Sequence, residues 1–261
     1  MGDLRSVNFD RAAEFYDATR DAADEIVTWT VDLLERELAR SDRALEIGVG
    51  TGAVALPLAQ RGVDLVGMDV STAMMAKLVA KAGGRSPLPL LQGDATRIPL
   101  RDGSLGGAYA RHVFHLIVDW RGVVAELCRV VGEGVVLINV GGGGSGAWLE
   151  LWDAMELGPE AEPVGLDVAR DGVKVLDEAF ATAGGTLRGV EERQSADTDT
   201  VADWMEAIRA RSQSWTWRVA DADLDRAVDL ATAWTLDRFG TLDVRLAEES
   251  SIRWRVYAVK R

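Results

Sequence analysis

The sequence predicts an α/β protein: a doubly wound, mostly parallel, seven-stranded Rossmann-like sheet with helices on both faces. Three observations carry this. Short apolar runs alternate with helical stretches from residue 43 to residue 140, the rhythm of parallel strands joined by right-handed crossovers. A glycine turn, Gly48-Val-Gly50-Thr-Gly52, follows the first run and opens a helix. Acidic residues stand at the ends of the first three strands, at Glu46, Asp69 and Asp94.

Taken in order, residues 1–8 read as frayed. A helical pattern then runs from Phe9 to Arg40, marked by Ala12, Phe15 and Tyr16 and then by Ile26, Val27, Val31, Leu34 and Leu38, with a break near Thr19–Ala22. Strand one covers Arg43–Ile47, and its helix covers Ala53–Gln60, where Pro57 kinks or tightens the first turn. Strand two is Val63–Met68. Ser71 caps a helix over Thr72–Ala82 that Gly83-Gly84 stops. Leu88–Leu91 is strand three, and Leu105–Ala110 is strand four, weakened by Gly106-Gly107. A helix over Arg121–Val130 leads into strand five, Val135–Val140.

Beyond Val140 the rhythm changes. A glycine-rich loop at 141–146 precedes helices over Ala147–Leu157, Val173–Ala183, Val201–Arg211 and Asp223–Phe239. Leu187–Arg193 is a further strand, and Ser251–Lys260 the last. With no internal repeat and no linker composition, 1–261 reads as one domain: a core over 9–140, substrate-side helical additions over 141–250, and the final strand over 251–261.

Composition bounds the function. Net charge is −13, from 29 basic and 42 acidic residues, and the basic residues are scattered among acidic neighbours. No cluster suits a phosphate backbone or an anionic membrane, so nucleic acid is not expected as a partner. No apolar run approaches the roughly 18–20 residues of a membrane span. The stretch Met1-Gly-Asp-Leu-Arg-Ser lacks the apolar core of a signal peptide, and a lone cysteine, Cys128, suits a reducing compartment. The expectation is a cytoplasmic protein. Nothing in the sequence sets an oligomeric state.

The glycine turn by itself admits two ligands. Gly48, Gly50 and Ala53 satisfy the dinucleotide fingerprint G-x-G-x-x-G/A, and Asp69 stands near the right distance to hold a ribose. Two residues favour a different nucleotide. A carboxylate at Glu46 would repel a pyrophosphate and attract an ammonium group. Asp94, in Gly93-Asp94-Ala95, can accept from an exocyclic amine such as that of adenine.

Together these segments resemble the class I S-adenosylmethionine-dependent methyltransferases, close to the ubiquinone/menaquinone-biosynthesis-type subgroup. Five segments carry the resemblance in order over about residues 9–140. They are Phe9-Asp-Arg-Ala-Ala-Glu-Phe-Tyr16-Asp, Leu45-Glu46-Ile-Gly48-Val-Gly50-Thr-Gly52, Val66-Gly-Met-Asp69-Val70-Ser71, Gly93-Asp94-Ala95 with Ile98-Pro99-Leu100, and Glu126-Leu-Cys-Arg129-Val130-Val131. The turn before strand five, Val131-Gly132-Glu133-Gly134, departs from that group's Pro-Gly-Gly.

The resemblance implies S-adenosyl-L-methionine as cofactor and a small, partly apolar methyl acceptor. It implies that Glu46 orients the loop near the methionine ammonium, with Gly48, Gly50 and Gly52 forming the turn. Asp69 would accept from both ribose hydroxyls, and Val70 and Met74 would sandwich the adenine. Asp94 and the Ala95 backbone would read its polar edge. The Arg111 backbone would complete the methionine end, and Tyr16 would close over the cofactor. For Asp69 and Asp94 a plain solvated carboxylate is the alternative.

Displacement at a sulfonium asks mainly for positioning, but an oxygen or acidic-carbon acceptor must also lose a proton. The only two histidines, His112 and His115, follow strand four and are candidates for the general base. The alternatives are that His115 packs inward or caps the next helix and that His112 merely faces the cofactor. Trp148, Trp152, Trp215 and Trp217 either line an apolar acceptor pocket or form core. Cys128 reads as a buried structural thiol, and no cluster has metal-ligand spacing, so no metal is expected.

Overall fold

The computed structural model describes residues 6–14, 16–19, 24–140, 146–196, 199–246 and 249–260. The expected break near Thr19–Ala22 falls mostly outside these residues, as do Phe15 and all of the glycine-rich loop but Gly146. The chain forms two compact units: Met1–Gly141 with Val164–Arg193 and Ile252–Arg261, and Gly142–Pro163 with Gln194–Ser251.

The first unit is built on a seven-stranded sheet of order β3-β2-β1-β4-β5-β7-β6. Its strands are β1 Ala44–Ile47, β2 Leu65–Asp69, β3 Leu90–Gln92, β4 Gly107–Arg111, β5 Gly134–Val140, β6 Gly185–Ala196 and β7 Glu249–Val259. The first five run parallel, and β7 runs antiparallel to β5. β1 is buried along its whole length, and its Ala44, Leu45 and Ile47 are apolar on both faces, with Glu46 the one polar residue among them. After β1 the chain builds outward through β2 and β3, then returns to the other side for β4 and β5. The switch point lies between β1 and β4, where open sheets of this kind hold their ligands.

The helices of this unit are α1 Tyr16–Thr19, α2 Asp24–Leu38, α3 Ala55–Gln60, α4 Thr72–Lys81, α5 Trp120–Val131, α7 Val168–Asp171 and α8 Lys174–Thr182, with α6 belonging to the second unit. Alternate residues of each strand feed opposite faces. Leu45, Ile47, Ala108 and Ala110 pack with Val123 and Leu127 of α5 and Leu176 and Phe180 of α8. Ala44, Tyr109 and Leu137 pack with Leu34 and Leu38 of α2, Leu58 of α3 and Leu78 of α4. Residues 164–193, read from sequence as part of the helical addition, therefore lie with the sheet. Cys128 is buried in α5, and burial pushes its thiol up to about 11.

Local chemistry sets the boundaries. Ser71 caps α4 by accepting from the Met74 N–H at 3.1 Å. Pro57 sits in the first turn of α3, where an amide hydrogen is dispensable. Gly106 and Gly107 turn out to serve contact instead of weakening β4. A Cβ on Gly107 would lie 2.6 Å from Leu38 Cδ2, and one on Gly134 would lie 2.1 Å from the Gly106 carbonyl oxygen.

The second unit has helices α6 Ala147–Ala154, α9 Val201–Arg209 and α10 Asp221–Phe239 around Leu151, Met155, Met205, Ile208, Val228 and Ala231. A reciprocal capping box between Thr200 and Asp203 starts α9. Trp148 and Trp204 meet edge to face with centroids 5.2 Å apart, as do Trp152 and Trp215 at 5.1 Å. These four rings pack against the core of the unit, and Trp217 donates its indole N–H to the Arg211 carbonyl at 2.7 Å. The core reading of the tryptophans is the one this packing supports.

The contact at β5 is testable. Gly134→Ala forces a methyl against backbone that has no flexible end to yield, so it should cost about 2–4 kcal/mol. Thermal and urea unfolding of the purified variant should show the loss.

Candidate functional site

The parallel register brings Ile47, Asp69, Gln92 and Arg111 to one edge of the sheet. A cleft of about 940 Å³, counted with its open mouth, lies there, within the size range of small-molecule sites. Tyr16, Gly48, Gly50, Asp69, Val70, Met74, Asp94, Ala95, Arg111, His112 and His115 all line it. Glu46 and Gly52 do not.

The glycine loop is held from beneath. The N–H groups of Gly48 and Val49 donate to the Met68 carbonyl at 2.8 and 3.0 Å, and that of Gly52 donates to the Val49 carbonyl. Gly50 donates to Asp69 Oδ2 at 2.8 Å, and the Ser71 N–H donates to Oδ1 at 2.8 Å. Asp69 thereby joins the loop after β1 to the start of α4, with lone pairs remaining on both oxygens. Burial raises its pKa, while these amides pull the other way. Gly48 and Gly50 have positive φ, +72° and +53°, and a Cβ on Gly48 would also press on Val113 at 3.0 Å. Gly52, at φ +80°, serves packing: a Cβ there would lie 2.7 Å from Leu78 Cγ.

Val70 is 46% exposed although it is a large aliphatic residue, and it stands at the cleft with the buried Met74. An apolar side chain left open to a cavity is suited to a flat apolar ligand. Asp94 is exposed, with Oδ1 accepting from the Thr96 N–H at 2.9 Å, and Ala95 lies beside it.

Glu46 is placed differently from the sequence expectation. It lies one residue inside β1, 4% exposed, with Tyr109 Oη donating to its Oε2 at 2.7 Å. Burial raises its pKa to about 8, against the pull of the Tyr109 hydroxyl and the Arg111 charge. Without a ligand the burial favours its protonated form, so the charge expected here at the end of strand one is opposed by its surroundings. Arg111, at the end of β4, is half-buried, and burial lowers its pKa while Tyr16 and Glu46 oppose that.

Both histidines reach the cleft. His112 adopts φ +50°, a left-handed conformation uncommon for a side-chain-bearing residue and recurrent at functional sites. His115 lies in a 3-10 turn over Phe114–Leu116. It does not cap α5, whose cap is Asp119, accepting from the Gly122 N–H at 2.9 Å.

Sequence reading missed how the N-terminal segment is fastened over the cleft. Asp10 accepts from Ser71 Oγ at 2.6 Å, Asp17 accepts from Thr51 Oγ1 at 2.6 Å and pairs with Lys81 at 2.7 Å, and Glu14 pairs with Lys77 at 2.8 Å. The Val7 N–H donates to the Leu116 carbonyl at 2.9 Å. These pins set Val7, Phe9 and Tyr16 against the cleft, with Tyr16 edge-on to Phe9. Carboxylates at 10, 14 and 17 were visible in the sequence, but their partners lie 34 to 64 residues away. Among the described residues no group of three or more His, Cys, Asp or Glu could hold a metal ion.

The sheet order, the glycine loop and the cleft at the β1/β4 switch define a Rossmann-like methyltransferase fold. Residues 45–139 match the family described as a methyltransferase domain. The demethylmenaquinone methyltransferase of Beutenbergia cavernae is 39% identical over 135 residues, covering 50% of this chain and 54% of the relative. The chain thus spans about half the length of the curated relative it matches.

Two solved structures share the fold at 16% identity. The cyclase SpnF has a TM-score of 0.63 over 97% of this chain and 93% of its own. An N-methyltransferase from Haemonchus contortus, solved with phosphomonomethylethanolamine and S-adenosylhomocysteine, has a TM-score of 0.56 over 97% of this chain and 58% of its own.

The buried Glu46 makes a prediction with a definite sign. Its pKa is raised on folding, so between pH 4.5 and about 8 the folded state keeps a proton that the unfolded state has lost. Its contribution to stability is full below pH 4.5 and is lost as pH rises through 8. Glu46→Gln keeps an acceptor for Tyr109 and should be stabilised relative to wild type by a few kcal/mol at pH 9 but not at pH 4.5. Melting temperatures of both proteins across that range will show the divergence; parallel curves would remove the argument.

Proposed function

We propose that the protein transfers the methyl group of S-adenosyl-L-methionine to a small, partly apolar acceptor, releasing S-adenosylhomocysteine. The observation that supports this best is the gathering of Asp69, Val70, Asp94, Arg111 and both histidines around one cleft at the switch point. The residues fit the cofactor. Asp69 keeps free lone pairs for a ribose diol, Val70 and Met74 offer apolar faces for adenine, and Asp94 can accept from its amine. A dinucleotide fits less well, because the Gly48, Val49 and Gly50 amides that would meet a pyrophosphate are already engaged.

When bound, the cofactor supplies a methyl group on a sulfonium, activated for in-line displacement. The chain supplies position and enclosure: the glycine loop and Asp69 fix one partner, and the pinned N-terminal segment keeps water out. His112 and His115 stand where a proton leaving an oxygen or acidic carbon could be taken up. Val7, Phe9, Val113, Leu116 and Ile117 make the cleft's apolar side and suit an apolar acceptor. The likeness to demethylmenaquinone methyltransferases supports a quinone-like ring, although it lies in the cofactor half. No described helix is long and apolar enough to cross a membrane, and with a single cysteine we read the site of action as the cytoplasm.

A non-catalytic binder or a cyclase on the same fold would bind the cofactor without consuming it. Calorimetry should show S-adenosylhomocysteine binding, no comparable NAD binding, and at least about tenfold weaker binding by Asp69→Asn. Label should pass from the cofactor's methyl group to a component of a metabolite extract. Binding without transfer would make the protein a binder, and NAD binding alone would end the reading. With the true acceptor in hand, His112→Ala/His115→Ala should lower kcat by about a hundredfold or more. Full turnover by that double variant would remove both as the base.

A further inference from the structure

We infer that the Arg111 side chain is the receptor for the α-carboxylate at the amino-acid end of the cofactor, an inference that rests on the reading above. The sequence resemblance involved only the backbone at this position. The guanidinium is the new element.

Arg111 ends β4 and lines the cleft. Its Nε is buried with no hydrogen-bond partner. No Asp or Glu among the described residues stands within ion-pair distance of it, in contrast to Arg43, Arg61, Arg129 and Arg255, each of which meets a carboxylate. A half-buried guanidinium with an unsatisfied N–H is costly unless an anion completes it. Two groups act on its charge, Tyr16 and Glu46, and the Glu46 carboxyl accepts from Tyr109.

The direction of the cleft says which anion. Asp69, Val70 and Asp94 lie at the ends of β2 and β3, so the nucleoside occupies that side. Its 5′ substituent then crosses the β1 loop toward β4. From β2 to β4 is two strand spacings, roughly 10 Å, which is about the reach of a four-carbon thioether amino acid beyond a ribose. Arg111 waits at that far end, and a guanidinium matches a carboxylate through two parallel N–H donors. Gly48, at φ +72° beside it, leaves the backbone bare for the passing chain.

The test uses three ligands that share the nucleoside: S-adenosylhomocysteine, its decarboxylated analogue S-adenosyl-3-thiopropylamine, and 5′-methylthioadenosine. Calorimetry on wild type, Arg111→Met and Arg111→Lys is expected to show S-adenosylhomocysteine weakened at least about tenfold by Met and partly restored by Lys. Binding of the two ligands without a carboxylate should change less than about twofold. Unchanged S-adenosylhomocysteine binding in Arg111→Met would overturn the inference, and so would an equal loss for all three ligands, which would mark a structural role. If wild type bound none of them, the cofactor reading itself would fall, an outcome distinct from the other two. The melting temperature of ligand-free Arg111→Met should equal or exceed that of wild type; a lower one would show that the guanidinium already has a stabilising partner in the free protein.

Discussion

Asp69 is the constraint on which the rest of the site depends. One oxygen takes the Gly50 amide and the other takes the Ser71 amide, so a single carboxylate links the loop after β1 to the first turn of α4. The arrangement propagates outward. Ser71 caps α4 with its hydroxyl oxygen and donates its hydroxyl proton to Asp10, which brings the N-terminal segment down over the cleft. A floor, a wall and a cover are thus connected through two adjacent side chains. Buried hydrogen bonds of this kind matter chiefly because breaking one strands its partner in a poorly solvated place.

The electrostatics of the cleft differ from what the charges suggest on paper. Two carboxyls, Glu46 and Asp69, stand on neighbouring strands, and burial pushes both toward the protonated form. Glu46 spends its acceptor capacity on Tyr109 in the middle of the sheet. Arg111 lines the cleft, with its Nε buried and without a hydrogen-bond partner. A chain whose net charge is −13 therefore has a cationic side chain lining its cleft. Overall charge governs solubility and steering; the sign of a site is set by a few desolvated groups.

Much of the sheet was legible because parallel strands buried on both faces leave mostly apolar runs, such as Val135–Ile138 in β5 and Ala44, Leu45 and Ile47 in β1. Caps were legible because they are local: the Ser71 hydroxyl oxygen, just before Thr72, lies within reach of the Met74 amide that follows it. The short helix Val168–Asp171 and the 3-10 turns carry no period long enough to register, and Gly107 looked like a weak point because its contact, Leu38, lies far back in the chain. For the site, the spacing of Gly48, Gly50, Asp69 and Asp94 pointed to one edge of one sheet. The sequence placed Glu46 at the end of strand one but did not show its burial, because the Tyr109 hydroxyl that meets it comes from 63 residues further along.

What the sequence determined by itself is the order of elements and the edge at which they converge, since both follow from local periodicity and from the glycines that a tight turn requires. Only the tertiary structure decided which of those residues face the cleft. It turned Gly52 toward Leu78, buried Glu46, fastened Asp10 and Asp17 to Ser71, Thr51 and α4, and left the Arg111 Nε buried without a hydrogen-bond partner. The physical reason is that burial and pairing are made by neighbours distant in sequence, and a residue's charge and orientation have no settled value until those neighbours arrive.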